Sequence, residues 1–169
     1  GALSDAYGCQ QTKALGESDY FIYWFDYNKR VICQIAKGDG QVKVISVTEQ
    51  VNTLIYNDIE PNQQFSDIRY DMANMPGYYE GATVGYNRKY KEFYISYQKA
   101  NDAIDGVLYK RTIIYSELLS KFTGTIDMFV PMFITINEDF YHFDFNAMAQ
   151  TGNGAQKRFW LADQEKDNA

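Results

Sequence analysis

The chain is short of the residues that most often carry chemistry. It has one histidine, His142, and no C-x-x-C pair, so neither a histidine-based nor a thiolate zinc site can be assembled from its motifs. No G-x-S-x-G elbow is present to present a nucleophilic serine. Gly77, Gly81 and Gly85 recur every fourth residue inside a strand pattern, not ahead of a helix, and so do not make a phosphate loop. No apolar run approaches the roughly 18–20 residues of a membrane-spanning helix. No Asn-x-Ser/Thr acceptor occurs. Excess positive charge is also missing: the net charge is -6 and the pI about 4.8. An acidic domain gains nothing from counterion release, which argues against nucleic acid and against anionic membrane surfaces. No cofactor or metal is expected.

What the chain has is aromatic and β-branched surface. Aromatic residues make up 17% of the 169, with 15 tyrosines, and proline occurs only three times. Such a chain can bury a real core as a single domain. Its centre is the stretch 88–115, RKYKEFYISYQKANDAIDGVLYKRTIIY. Tyr90, Glu92, Tyr94, Ser96 and Gln98 share one parity, and Lys91, Phe93, Ile95 and Tyr97 the other. Leu108, Lys110, Thr112 and Ile114 alternate with Val107, Tyr109, Arg111, Ile113 and Tyr115. Two alternating runs around a polar turn predict an antiparallel hairpin.

The same pattern extends along the chain. Residues 19–27 and 30–36 form a first hairpin around Asn28-Lys29, continuous enough in apolar residues for burial on both faces. Residues 37–40 (KGDG) turn into a strand at 42–47, and 51–56 reads as another strand. The long stretch 57–76 carries Pro61 and Pro76 and is either a functional loop or a crossover. Strands follow at 77–86, 122–136 (with a bulge or edge forced by Pro131), 140–145 and 157–162. Residues 27–30 and 86–89 share a Tyr-Asn-basic-basic form, which predicts two similar tight turns with asparagine in the left-handed conformation. The expected organisation is a loosely packed segment over 1–18, one β domain over 19–162 and a polar tail over 163–169. The expected fold is mainly all-β: an antiparallel meander of about nine to eleven strands, closed as a barrel or folded as a two-sheet sandwich.

Cys9 and Cys33 are an even pair in a small β-rich chain, which predicts a disulfide tethering the N-terminal segment to the sheet. His142 and Asp144 lie two apart on one strand face, where a carboxylate could orient an imidazole; a solvated-face histidine is the simpler expectation. The carboxylates include no pair singled out for glycosidase work, and Asp102, Asp105 and Gly106 lack the spacing of a calcium loop. In an up-and-down meander alternate turns share an end. The turns at 28–30 and 87–89 then form a basic pole. Asp39, Asp58, Glu60, Asp67, Asp71, Asp102 and Asp105 gather at the other, with Tyr56, Tyr70, Tyr78 and Tyr79 nearby. An acidic, tyrosine-rich pole suits a cationic protein partner.

The expected function is therefore a non-catalytic β domain, exported to the periplasm or secreted, that binds another protein as an inhibitor or immunity-type factor. In general look the chain resembles small bacterial envelope proteins that inhibit enzymes. The alternative is a β-barrel holding a small apolar or aromatic ligand. A hydrolase using scattered carboxylates comes third.

Overall fold

The computed structural model describes residues 7–9, 13–48, 50–59, 81–100, 108–144 and 158–161. Within them lie eleven strands in three antiparallel sheets and one short helix. The first sheet has the order β1 (Leu15–Glu17), β2 (Phe21–Asp26), β3 (Val31–Ala36), β4 (Val42–Val44). Helix α1 (Val51–Asp58) follows. The second sheet is β5 (Gly81–Asn87), β6 (Glu92–Ala100), β7 (Leu108–Ser116), β8 (Lys121–Ile126). The third pairs β9 (Met132–Ile136), β10 (Asp139–Asp144) and β11 (Arg158–Leu161) in the order β11-β10-β9.

The middle sheet is covered on both faces. On one side Phe93, Ile95, Tyr97, Ile113 and Tyr115 meet Tyr23, Phe25, Tyr27 and Ile55 in the main core. Tyr23 sits on Phe93 with ring centroids 3.8 Å apart, and Phe25 stacks on Tyr97 at 5.5 Å. These rings fill the space between the first two sheets. On the other side the chain leaves β8 and crosses the sheet as a strap. Thr83, Ser96 and Thr112 stand opposite one another on β5, β6 and β7 and hold it. Thr112 Oγ1 donates to the Met128 carbonyl at 2.7 Å, the Val130 N–H donates to Ser96 Oγ at 2.7 Å, and Thr83 donates to the Val130 carbonyl. Three hydroxyls in one cross-strand row thus satisfy backbone groups that would otherwise be buried without partners. Pro131 follows the strap, where a missing N–H costs no ladder bond. The third sheet then docks, with Phe133 and Phe140 against Tyr94. Gly85 makes this approach possible, since a Cβ there would fall on the Phe133 ring.

The barrel does not close. At one side β1 lies between β2 and β5: the Phe25 N–H donates to the Ala14 carbonyl (3.0 Å) and the Val84 N–H to the Lys13 carbonyl (2.8 Å). The opposite side, between β4 and β8, stays open. The sheets form a layered sandwich, with a third layer that the two-sheet expectation omitted. Residues 13–18 are also better packed than the expected loose segment, with Ala14 and Ser18 both buried.

Three four-residue turns join strands in the same way. Residues 27–30, 88–91 and 117–120 each end on a left-handed residue: Arg30, Lys91 and Ser120, with φ of 56°, 56° and 51°. In each, the last strand residue accepts an N–H from the turn: Asp26 from Lys29, Asn87 from Lys89, Ser116 from Leu119. The turns are similar, as the Tyr-Asn-basic-basic echo predicts, but the echo is out of register. Asn87 occupies the place of Asp26, not of Asn28, and neither asparagine is left-handed. The β9–β10 turn places Asn137 and Glu138 at φ 53° and 81°, the two positive values of a tight hairpin.

One correction reorganises the rest. Residues 51–56, predicted as a strand, are helical, because Val51, Ile55 and Ile59 recur every fourth residue and all three are buried. Replacing one strand by a helix reverses the direction of every later strand. The ring pairs show it: β2 from Tyr23 to Phe25 runs alongside β6 from Phe93 to Tyr97. The 27–30 turn follows β2 and the 88–91 turn precedes β6, so they lie at opposite ends.

Candidate binding surfaces

The acidic pole expected from the meander is divided by that reversal. Asp58 is at the end of α1, beside the 27–30 turn. Asp39 is at the other end, beside the 88–91 turn. Glu60, Asp67, Tyr70, Asp71, Asp102 and Asp105 lie outside the described residues.

Asp58 is engaged within the chain. Arg111 on β7 grips it with two nitrogens, Nε to Oδ2 at 2.5 Å and Nη2 to Oδ1 at 3.2 Å. Tyr97 donates its hydroxyl to Oδ2 at 2.7 Å. Arg111 also reaches Asp127 at 3.0 Å. The Asp58 side chain is only 10% exposed. A bidentate carboxylate–guanidinium pair at this depth is a strut between helix and sheet, not a contact for an outside partner. Burial, followed by the hydrogen bond to Asp58, pushes the Tyr97 phenol up from its ordinary range. Nearby, the Arg30 guanidinium lies 3.7 Å from the centroid of the half-exposed Tyr56 ring and donates to the Ile59 carbonyl at 3.1 Å.

The expected disulfide is not made. Cys33 is fully buried on the outer face of the first sheet with Trp24 and Val31, and Tyr7 is the N-terminal side chain packed there. Cys9 is exposed. Burial raises the Cys33 thiol to about 12, which keeps it protonated and inert. His142 is buried in β10, not on a solvated face; the side chain of Asp144 lies outside the description. Among the described residues no group of three His, Cys, Asp or Glu could hold a metal ion, and no helix is long and apolar enough to cross a membrane.

Two grooves are lined by described residues. The larger, about 840 Å³, runs between β1 and β5 on one side and the β9–β10 hairpin on the other. Its charged members include Glu17, which is paired with Lys37 at 2.6 Å, and Arg88, which is 4.0 Å from Asp19. The smaller, about 520 Å³, lies at the Asp39 end on the open side of the sandwich. Phe21, Gln34, Asp39, Lys43, Tyr115 and Glu117 contribute to its lining. Here Gln34 donates to the Tyr23 hydroxyl at 2.6 Å, and Asp39 accepts the Gln41 N–H at 3.3 Å. Glu117 begins the 117–120 turn; its Oε2 is buried without a hydrogen-bond partner. Burial raises its carboxyl above the ordinary range; the Ser18 hydrogen bond and Lys91 oppose the rise and Asp19 adds to it. Immediately beyond it Leu118 and Leu119 are 74% and 61% exposed at the tip of the turn. Glu117 and the two leucines lie in the short link before the strand expected at 122–136, where no site is expected. The signal available was Leu-Leu between polar residues in a short link.

Residues 2–146 match the family model of the Crassvirus muzzle protein, and the chain belongs to that family, one of viral structural proteins. No curated protein matches it.

Proposed function

We propose that the chain is a non-catalytic structural subunit of a crassvirus particle, acting by holding neighbouring proteins. The observation that carries this reading is the family match over most of the chain. The exposed Leu118-Leu119 tip and the open side of the sandwich support it, since apolar surface of this kind is what a neighbouring protein covers. The partner's chemistry follows from net charge: a body at -6 associates more readily with a cationic surface. Export is not required by this reading, and the family match does not speak for an inhibitor.

The test is quantitative mass spectrometry of particles purified through two successive density gradients. A fixed copy number relative to the major capsid protein at every step is expected. Recovery only in the soluble fraction of the lysate would overturn the reading.

A further inference from the structure

The link between β3 and β4 contains the one Asp-Gly step among the described residues, Asp39 followed by Gly40. Residues 37–41 are all exposed. The Asp39 carboxylate leans forward along the chain, because its Oδ1 accepts the Gln41 N–H at 3.3 Å. That bond spans the Gly40 peptide, so the side chain lies alongside the Gly40 nitrogen. The Gly40 N–H has no hydrogen bond among the described residues. Nothing shields it either: a Cβ at Gly40 would meet no atom within 4 Å. An exposed carboxyl held beside an unhindered peptide nitrogen is the arrangement from which a five-membered ring closes.

The fold does not require this glycine. Gly38 takes the positive φ of the turn, 89°, whereas Gly40 is not left-handed and packs against nothing. Other described aspartates lack part of the arrangement. Asp26 is buried and accepts the Gly8 and Lys29 N–H groups, and Asp58 is gripped by Arg111. Asp19, Asp127 and Asp139 precede Tyr20, Met128 and Phe140, whose side chains crowd the nitrogen that would attack.

We propose that Asp39 is a site of spontaneous backbone isomerisation, passing to isoaspartate in the folded chain through a cyclic imide with Gly40. The Gly40 nitrogen attacks Asp39 Cγ of the protonated carboxyl. An N–Cγ bond forms, the Cγ–OH bond breaks, and the hydroxyl leaves as water with the proton of the nitrogen. Water then adds to one of the two imide carbonyls. Opening at Cγ restores aspartate, and opening at the main-chain carbonyl leaves the chain running through Cγ as isoaspartate. No oxidant, reductant or second reactant is consumed.

The product has one more backbone methylene between Asp39 and Gly40. β4 begins just beyond and is held to β3 by three residue pairs, so the longer link loosens it. Val42 and Lys43 also line the smaller groove, which places the change on the open side of the sandwich. The proposal stands on the geometry of this turn and does not rest on the structural-subunit reading.

The experiment ages the purified full chain in warm neutral buffer beside a synthetic peptide of residues 34–46. Digests are assayed with protein isoaspartyl methyltransferase and by mass spectrometry. Isoaspartate is expected in the fragment holding Asp39, at a rate no lower than in the peptide, with an intermediate lighter by one water. Gly40→Ala has room for its Cβ, so it should fold normally and form isoaspartate about tenfold more slowly. Asp39→Asn, which loses ammonia in place of water, should react faster and give the same product. In the aged chain, hydrogen exchange at Val42 and Val44 should quicken while β2 keeps its protection. Absence of isoaspartate at position 39 in the folded chain while the peptide reacts would overturn the proposal. So would equal formation at Asp19 or Asp127, or an unchanged rate in Gly40→Ala.

Discussion

The two faces of the middle sheet are held by different physics, although they are made by alternate residues of the same strands. On one face Phe93, Ile95, Tyr97 and Tyr115 pack on the first sheet through stacked rings and area removed from water. This attraction is non-directional and tolerates small shifts. On the other face Thr83, Ser96 and Thr112 hold a crossing strap by hydrogen bonds whose geometry leaves little latitude, and Gly85 admits Phe133 at a distance no other residue allows. The first face buries the main core. The second decides where the chain goes after β8.

The largest break in this comparison should come from Phe93→Ala. The ring is fully buried and contacts both Tyr23 and Tyr86. A loss of about 3–5 kcal/mol is expected in denaturant unfolding, with the whole molecule affected. Gly85→Ala should act on the other face alone. A cost of about 1–3 kcal/mol is expected as Phe133 is displaced. Hydrogen exchange should quicken in β9 and β10 while β2 and β3 keep their protection; equal loosening everywhere would mean the third sheet is not a separable layer. Ser96→Ala comes next, leaving the buried Val130 N–H without its acceptor at a cost of about 1–3 kcal/mol. Exchange at Val130 is the direct readout.

The smallest effect has the opposite sign. The Glu117 carboxyl is raised in the folded chain, chiefly by burial. Below the ordinary glutamate value, about 4.3, both folded and unfolded states are protonated and nothing is lost. As pH rises the unfolded state ionises first, and stability falls until pH passes the raised folded value. Glu117→Gln removes that penalty. Its melting temperature should exceed that of the wild type at pH 7, and the gap should close by about pH 4. A gap independent of pH would mean the carboxylate is not penalised by the fold.

Much of the all-β fold was legible in local pattern. The hairpin over 88–115 appears as β6 and β7 with Ser96 opposite Thr112, and its parity assigns Phe93, Ile95 and Tyr97 to one face. The run over 19–27 was continuous because β2 is covered on both sides, Tyr23 and Phe25 inward and Trp24 outward. Helix α1 was not legible: Val51, Thr53, Ile55 and Tyr56 have strand propensity, and only burial of Val51, Ile55 and Ile59 together reveals the four-residue period. That one misreading moved Asp39 and Asp58 to a common end on paper. Of the candidate site, Asp39 was found, but Glu117 was hidden because a carboxylate in a turn looks solvated until its surroundings are known.

By itself the sequence determined the strands, their alternation and most of the hairpin turns, since these depend on neighbours a few residues apart. Only the tertiary structure decided which ends meet, which carboxylates are spent internally, as Asp58 is on Arg111, and which, as Glu117 is, are partly shut off from water. Those outcomes depend on desolvation and long-range pairing, and both arise only once distant segments come into contact.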